Sequence, residues 1–440
     1  MTAEIAILNK EAIALASDSA VTLSGDSSPK IFTSANKLFS LSKYHPVGIM
    51  LYQNASFMGV PWEVIIKLYK NKLGLNKFDK LEDYSEDFIR FLAEGNSLFP
   101  AQIQDQHVIE SILNYLLYIR SDIIKLLEKK IEDEKELTEE GVHETVVHVI
   151  KSHYDTWKVT ENIATIPESY CEEIHKKYYN NIKELIQDTF EKLPLSKECQ
   201  EHLERIVCSL FSKFPSGIQN PSFSGIVIAG FGELDTFPVL DELYLEGIAH
   251  DKLKYKRLRT TRIGFNNRAA IIPFAQREMV DTFMQGADPF YLNVEDGFLN
   301  DIFDRYAAAI SRNLQKYTPE EQEKLKENLV SAGKNILTDF KTKLENHRKD
   351  KYVLPIINVV SFLPKDELAA MAESLVNLTS FKRKVTMESE TVGGPVDVAL
   401  ISKGDGFIWI KRKHYFKAEL NPQFFANYYR GGGDERTQEI

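Results

Sequence analysis

The chain has 440 residues, is 43% hydrophobic and 27% charged, and carries a formal net charge of −10. That balance belongs to globular proteins with enough apolar residues for a sizeable core, and its acidity argues against nucleic acid as the main partner. No stretch approaches the roughly 18 consecutive apolar residues of a membrane span. Glu4, Lys10 and Glu11 interrupt any signal-peptide core at the amino end, so no membrane partner and a cytoplasmic location are expected. Cys171, Cys199 and Cys208 are too few and too irregular for a disulfide framework or a zinc site. They are expected to pack as small hydrophobes on helices.

In chain order, "AEIAIL" and "AIALASDS" alternate around Asn9-Lys10, which predicts a β-hairpin. "IFTSANKLFSLS" reads as a third strand and "PVGIMLY" as a fourth, buried one. Pro61 sits where a first-turn proline belongs, and Gly74 lies near the end of the helix that follows. From about 106 to 215 apolar residues recur at helical spacing among dense charges, as in "YCEEIHKKYYNNIKELIQDTFEKL". Strand patterning returns at 222–255, and a second helical stretch covers about 296–350. Pro364 opens "PKDELAAMAESLVNLTSFKRK", a well-patterned helix, and "VDVALISK" and "GFIWIKRK" form a last pair across Gly404-Asp405-Gly406.

The simplest account is an α+β domain with helical insertions in its loops, since loop-closure cost grows slowly with length. Its parts are 1–105, 216–295 and 351–430, with insertions at 106–215 and 296–350 and a flexible tail at 431–440. The basic runs at 252–262 and 410–416 read as solvated strand faces rather than a nucleic-acid groove. His143 and His148 in "HETVVH" are five apart, about 140° around a helix, so they cannot share a tetrahedral ion as an i, i+4 pair does. "AGFGELD" lacks the third glycine and the following helix of a dinucleotide loop.

The first hairpin also suggests chemistry. A turn centred near Lys10 places Thr2 across from Asp18. Pattern and turn then gather a hydroxyl, a carboxylate and, once Met1 is removed, a free amine; the small threonine side chain permits that removal. An N-terminal threonine can attack a carbonyl through Oγ while its own amine takes the proton. The amine suits this, with an unperturbed pKa of about 7.7–8.0, and a nearby ammonium would keep more of it neutral.

"TAEIAILNKEAIALASDSAVT" resembles the opening of proteasome-type β subunits, of the N-terminal-nucleophile hydrolase family. There a mature N-terminal threonine begins one strand and "A-x-D-S-x-x-T" ends the next. "NKLFSL" resembles the strand that the family's catalytic lysine opens, and supplies Lys37. "GIM" at 48–50 resembles the oxyanion-hole strand, and "SETVGGPVDVALISKGDGFIWI" the closing glycine pair and hairpin. There are departures. Ala20 stands where the family often has arginine, and Tyr52-Gln53-Asn54-Ala55 replaces a glycine-rich loop. Val392 holds the usual serine position, and "IGFNNRAA" offers no match for another family serine.

The resemblance implies a four-layer αββα sandwich and a hydrolase cleaving peptide or other amide bonds without cofactor or metal. Thr2 would be the nucleophile, Lys37 its electrostatic tuner and Asp18 the orienter of Lys37. Backbone N–H groups near Gln53 and Asn54 would stabilise the oxyanion, with Ser389 and Glu390 supporting the amine. It further implies a peptide or protein substrate, a homo-oligomer and an ATP-driven unfoldase as partner. The rivals are a small-molecule amidase and a non-catalytic assembly or scaffold protein on the same fold.

Overall fold

The structure is a computed structural model that describes residues 2–23, 30–94, 98–134, 138–215, 223–313, 317–386, 392–414, 416–423 and 426. It opens with strands β1 (Ala3–Asn9) and β2 (Ala12–Ser17), followed by three short strands, β3 (Val21–Leu23), β4 (Lys30–Phe32) and β5 (Leu38–Ser40). Next come β6 (Val47–Gln53), the small pair β7 (Ser56–Phe57) and β8 (Val60–Pro61), and helices α1 (Trp62–Leu73) and α2 (Leu81–Ala93). Helices α3 (Ala101–Glu134), α4 (Glu139–Val159), α5 (Tyr170–Thr189) and α6 (Lys197–Ser209) fill the next stretch. Strands β9 (Ser224–Gly230), β10 (Val239–Ala249), β11 (Lys252–Arg262) and β12 (Ala269–Ala275) follow. The remainder runs α7 (Glu278–Gln285), α8 (Pro289–Asn313), α9 (Pro319–Arg348), α10 (Leu354–Val360), α11 (Lys365–Val385), β13 (Asp397–Ser402) and β14 (Gly406–Lys411).

The first hairpin forms as its alternation predicts, but one residue out of the expected register. Asn9 Oδ1 accepts the N–H groups of Glu11 (2.9 Å) and Ala12 (3.2 Å), an Asx turn that makes Lys10-Glu11 the two-residue loop. Glu4 then pairs with Ser17 and Leu8 with Ile13. Asp18 therefore falls opposite Ala3, whose carbonyl accepts the Asp18 N–H at 3.0 Å, and not opposite Thr2. The single strand expected over 31–42 is also broken. β4 pairs with β3 in a separate ribbon, and 33–37 leave the extended ladder before β5 begins. Pro61 is the residue before α1 rather than its first turn, with an extended ψ of 134°, and Gly74 closes that helix at φ 51°.

The chain divides into two compact units. The first comprises the chain up to Ser40, Thr236–Pro238, and the residues from Arg262 on. Its sheet has the order β12-β1-β2-β13-β14, every pairing antiparallel. One face of that sheet carries Ile5, Ile7, Ala14, Ala16 and Val398, which pack against Val280 of α7 and Leu368, Ala372 and Val376 of α11. Alanines along β2 let α11 approach closely, so this face is a helix-on-sheet core.

The second unit spans Leu41–Asp235 and Val239–Thr261. Its strands lie in the order β11-β10-β9-β6. Gly225 on β9 leaves room for the Tyr52 ring, whose hydroxyl donates to Glu242 at 2.6 Å. Helices α3–α6 bury Ile112, Ile119, Val149, Ile174, Leu203 and Ile206 in a core that also takes in Ala249 of β10. Cys199 and Cys208 are buried there and Cys171 packs against it, all three as free thiols. The basic run of β11 is not simply a solvated face. Lys254 is buried against Glu246, and Arg259 reaches Glu242 at 2.5 Å. Buried carboxylates on β10 require these cations, because an unpaired charge in the interior is costly.

Candidate functional site

Thr2 immediately precedes β1 and Glu4 is the second residue of that strand; residues two apart in extended chain share a face, so their side chains can meet. The Thr2 hydroxyl donates to Glu4 Oε2 at 3.0 Å. Glu4 Oε1 lies 3.2 Å from Lys37 Nζ, and Lys37 also forms an ion pair with Asp18 Oδ1. Thr2, Glu4, Asp18 and Lys37 are all buried. The three candidates Thr2, Lys37 and Asp18 thus lie in one network, with Glu4 as the link between the hydroxyl and the ammonium.

Asp18 is held from several directions. Its Oδ1 accepts the Ala3 N–H at 3.2 Å, and its Oδ2 accepts the N–H groups of Ala20 (3.3 Å) and Gly393 (2.9 Å). Three backbone donors and an ammonium stabilise its anion, as a buried carboxylate needs. The next residue repeats the tie, since Ser19 N–H donates to the Gly393 carbonyl at 3.1 Å and Ser19 Oγ to that of Pro395. The second of the two closing glycines has a steric reason. Gly394 sits at φ +80°, and a Cβ there would lie 2.8 Å from the Thr33 carbonyl oxygen.

Glu4 is the residue that sequence reasoning missed as a site member. Its signal was a lone carboxylate two positions from Thr2 in a strand whose other residues up to Leu8 are buried and apolar. Burial raises its pKa from the usual 4.5 to about 8, helped by the charge of Asp18 and opposed by Lys37 and the Thr2 hydroxyl. Glu4 shares the Lys37 ammonium with Asp18 and has the Thr2 hydroxyl as its other donor. Ser17, opposite Glu4, is fully buried, and its Oγ has no hydrogen-bond partner among the described residues.

Gln53 and Asn54 belong to the second unit. Gln53 ends β6 with a left-handed φ of 76°, so a non-glycine residue takes the conformation that glycine adopts most readily. Asn54 helps line a polar cavity of about 280 Å³ with Ser56, His107, Glu110 and Glu246. Ser389 and Glu390 lie outside the described residues, as does Met1. Among the described residues no cluster of three or more His, Cys, Asp or Glu is placed to hold a metal ion. Within the network itself, Lys37 occupies the position between Glu4 and Asp18 that a cation would take. His153 is engaged by Tyr115 at 3.0 Å and Asp122 at 3.4 Å.

No family model matches the chain, and no curated protein matches it. Among solved structures it is similar to one described as an Anbu (Gly-1) mutant from Hyphomicrobium sp. strain MC1, at 7% identity and a TM-score of 0.27. The alignment covers 100% of this chain and 98% of that one. A likeness of that degree assigns neither fold nor activity. What the structure gives directly is a mixed α/β chain with antiparallel sheets and no helix, among the described residues, long and apolar enough to cross a membrane.

Proposed function

We propose that this protein is an N-terminal threonine hydrolase that cleaves amide bonds, with peptides as the substrate class. The observation that carries the reading is the buried chain Thr2–Glu4–Lys37–Asp18 around the start of β1. Removal of Met1 frees the Thr2 amine. The amine takes the proton from Oγ as Oγ attacks the carbonyl carbon, and returns it to the leaving amine when the tetrahedral intermediate collapses. Water, activated by the same amine, then hydrolyses the ester. Lys37 keeps positive charge beside the amine and so favours its neutral form, while Asp18 anchors Lys37. Glu4 orients the hydroxyl by accepting its hydrogen bond. N–H groups at Gln53 and Asn54 remain the proposed oxyanion donors, and Ser389 and Glu390 the supporting polar pair. With this reading go the four-layer αββα arrangement, insertions at 106–215 and 296–350, a homo-oligomer, and an unfoldase that feeds it.

One observation favours the rival. Thr2 is only 3% exposed, so a substrate reaches its hydroxyl only after neighbouring groups move. A non-catalytic protein would use the same network as a structural tie. Intact-mass analysis of protein made in cells, followed by treatment with a peptide epoxyketone, separates the two. The hydrolase reading expects loss of one methionine and an adduct joining both Oγ and the amine of Thr2. Thr2→Ala should keep its fold, take no adduct and lose peptide hydrolysis by about 10⁴–10⁶-fold. Retained Met1 in active protein, or Thr2→Ala turnover at the wild-type rate, removes the threonine mechanism.

A further inference from the structure

Helix α8 packs on α9 through one face. Ala307 and Ser311 are buried on it, and Phe303 closes over Gly333, where a Cβ would meet its ring at 3.0 Å. The opposite face holds Phe290, Tyr291, Val294, Phe298, Ile302 and Tyr306, exposed from 38% (Val294) to 74% (Phe290). At about 100° per residue, Tyr291, Val294, Phe298 and Ile302 fall within an arc of about 80°. Phe290 and Tyr306 lie at its two margins. With large side chains each presenting on the order of 150–250 Å², these six leave roughly 700 Å² open, above the roughly 300–600 Å² of the largest patch on a typical monomer.

The pattern is symmetric about Phe298. A two-fold axis through that residue, perpendicular to the helix, carries Val294 onto Ile302 and Phe290 onto Tyr306. It also carries Tyr291 onto Arg305. We propose that this face is a dimerisation surface on which α8 pairs antiparallel with α8 of a second copy of this chain. Phe298 then meets Phe298 at the axis, Val294 meets Ile302, and each Tyr291 ring receives the Arg305 guanidinium of the second copy. Complete burial of the six on both copies would remove at most about 1,400 Å² from water, against the roughly 1,200–2,000 Å² of stable interfaces. An isologous contact sets the same patch of each copy against itself, so that each pairing occurs twice, as Val294 with Ile302 and Tyr291 with Arg305 do here. The carboxylates nearby are already served, since Asp301 pairs with Arg305 along the helix and Asp296 with Lys341 of α9 at 2.8 Å. Four acidic residues on α8 against Arg305 and Arg312 make it a poor ligand for an anionic lipid surface.

The test uses the full chain and does not depend on its enzymatic activity. Light scattering after size exclusion, at tens of micromolar, should give a particle of twice 50.4 kDa or an even multiple of it. Phe298→Asp places two carboxylates at the axis and should halve that mass with an unchanged thermal transition, because the ring is exposed. Phe298→Cys under mild oxidant should cross-link to a band of twice the monomer mass on non-reducing gels. A monomeric wild type overturns the proposal. So does an oligomer that Phe298→Asp leaves intact, or a Phe298→Cys protein that does not cross-link. A monomer that sediments with phosphatidylcholine–phosphatidylserine vesicles makes the face a lipid-binding one and equally overturns it.

Discussion

Glu4 carries an ionisation whose cost the fold has arranged in advance. A charged Glu4 would set a second anion beside Asp18 with one ammonium between them, in a site closed to water. Its folded pKa of about 8 exceeds the usual glutamate value of 4.5. The folded state therefore holds a proton that the unfolded chain releases. By linkage, the stability contributed by protonated Glu4 is complete below about pH 4.5 and declines as pH rises through about 8. Glu4→Gln, neutral at every pH, should flatten that decline. Urea unfolding at pH 5, 6.5, 8 and 9 should show the variant gaining on wild type across this window. The gain at pH 8 should be at least the ~1.4 kcal/mol that one pKa unit represents. A wild type that instead gains stability over the same range would show that Glu4 is ionised in the folded protein. On the hydrolase reading, loss of the Glu4 proton also makes its carboxylate a stronger acceptor for the hydrogen bond that the Thr2 hydroxyl donates, so turnover with pH should follow the same group.

At the scale of elements, the segment entering β13 determines whether Asp18 is held. Gly393 supplies an N–H and a carbonyl to Asp18 and Ser19, and Gly394 turns the chain in a left-handed conformation against Thr33 and Ser19. Gly394→Ala combines a strained φ with contacts under 3 Å to Thr33, a cost on the order of 1–3 kcal/mol. At Gly404, in the β13–β14 turn, an added Cβ would meet nothing within 4 Å, and the φ is not left-handed. Thermal denaturation should lower the transition for Gly394→Ala and leave Gly404→Ala close to wild type. Equal transitions would mean that Gly394 is not a steric requirement. The element types themselves were legible in the sequence. The β1–β2 alternation, the helical spacing between 106 and 215 and the β13–β14 hairpin all depend on residues within a few positions of one another. The register was not, because the Asx turn at Asn9 selects a loop one residue from the one assumed.

At the scale of the molecule, helices α3–α6 are fastened to the strands of their own unit at several points. Gln104 exchanges hydrogen bonds with Asp251 at 2.8 and 3.0 Å. The Tyr170 hydroxyl donates to the Ala249 carbonyl, and Lys254 Nζ donates to that of Leu210. His107 lies so close over Gly247 that any Cβ there would overlap its ring. Replacing 101–210 by a short flexible linker should therefore expose the apolar face of β10 and open the Lys254–Glu246 pair to water, with the Leu210 carbonyl contact of Lys254 lost. The shortened protein should be insoluble or lack a cooperative transition by calorimetry. A soluble product with a sharp transition would make the helices a detachable unit.

By itself the sequence determined the local structure of this protein and set Thr2 near Asp18, since strand period, helix period and turn chemistry act over short separations; Lys37 became a candidate only through the family resemblance of its strand. Tertiary structure alone decided that Glu4 joins them and that Asp18 is satisfied by an N–H 375 positions away. It also decided that Lys254, in a run that reads as a solvated strand, is buried on Glu246. These outcomes turn on burial. Whether a carboxylate keeps its proton, or an ammonium needs a partner, depends on which distant segments exclude water from it, and no window of sequence carries that information.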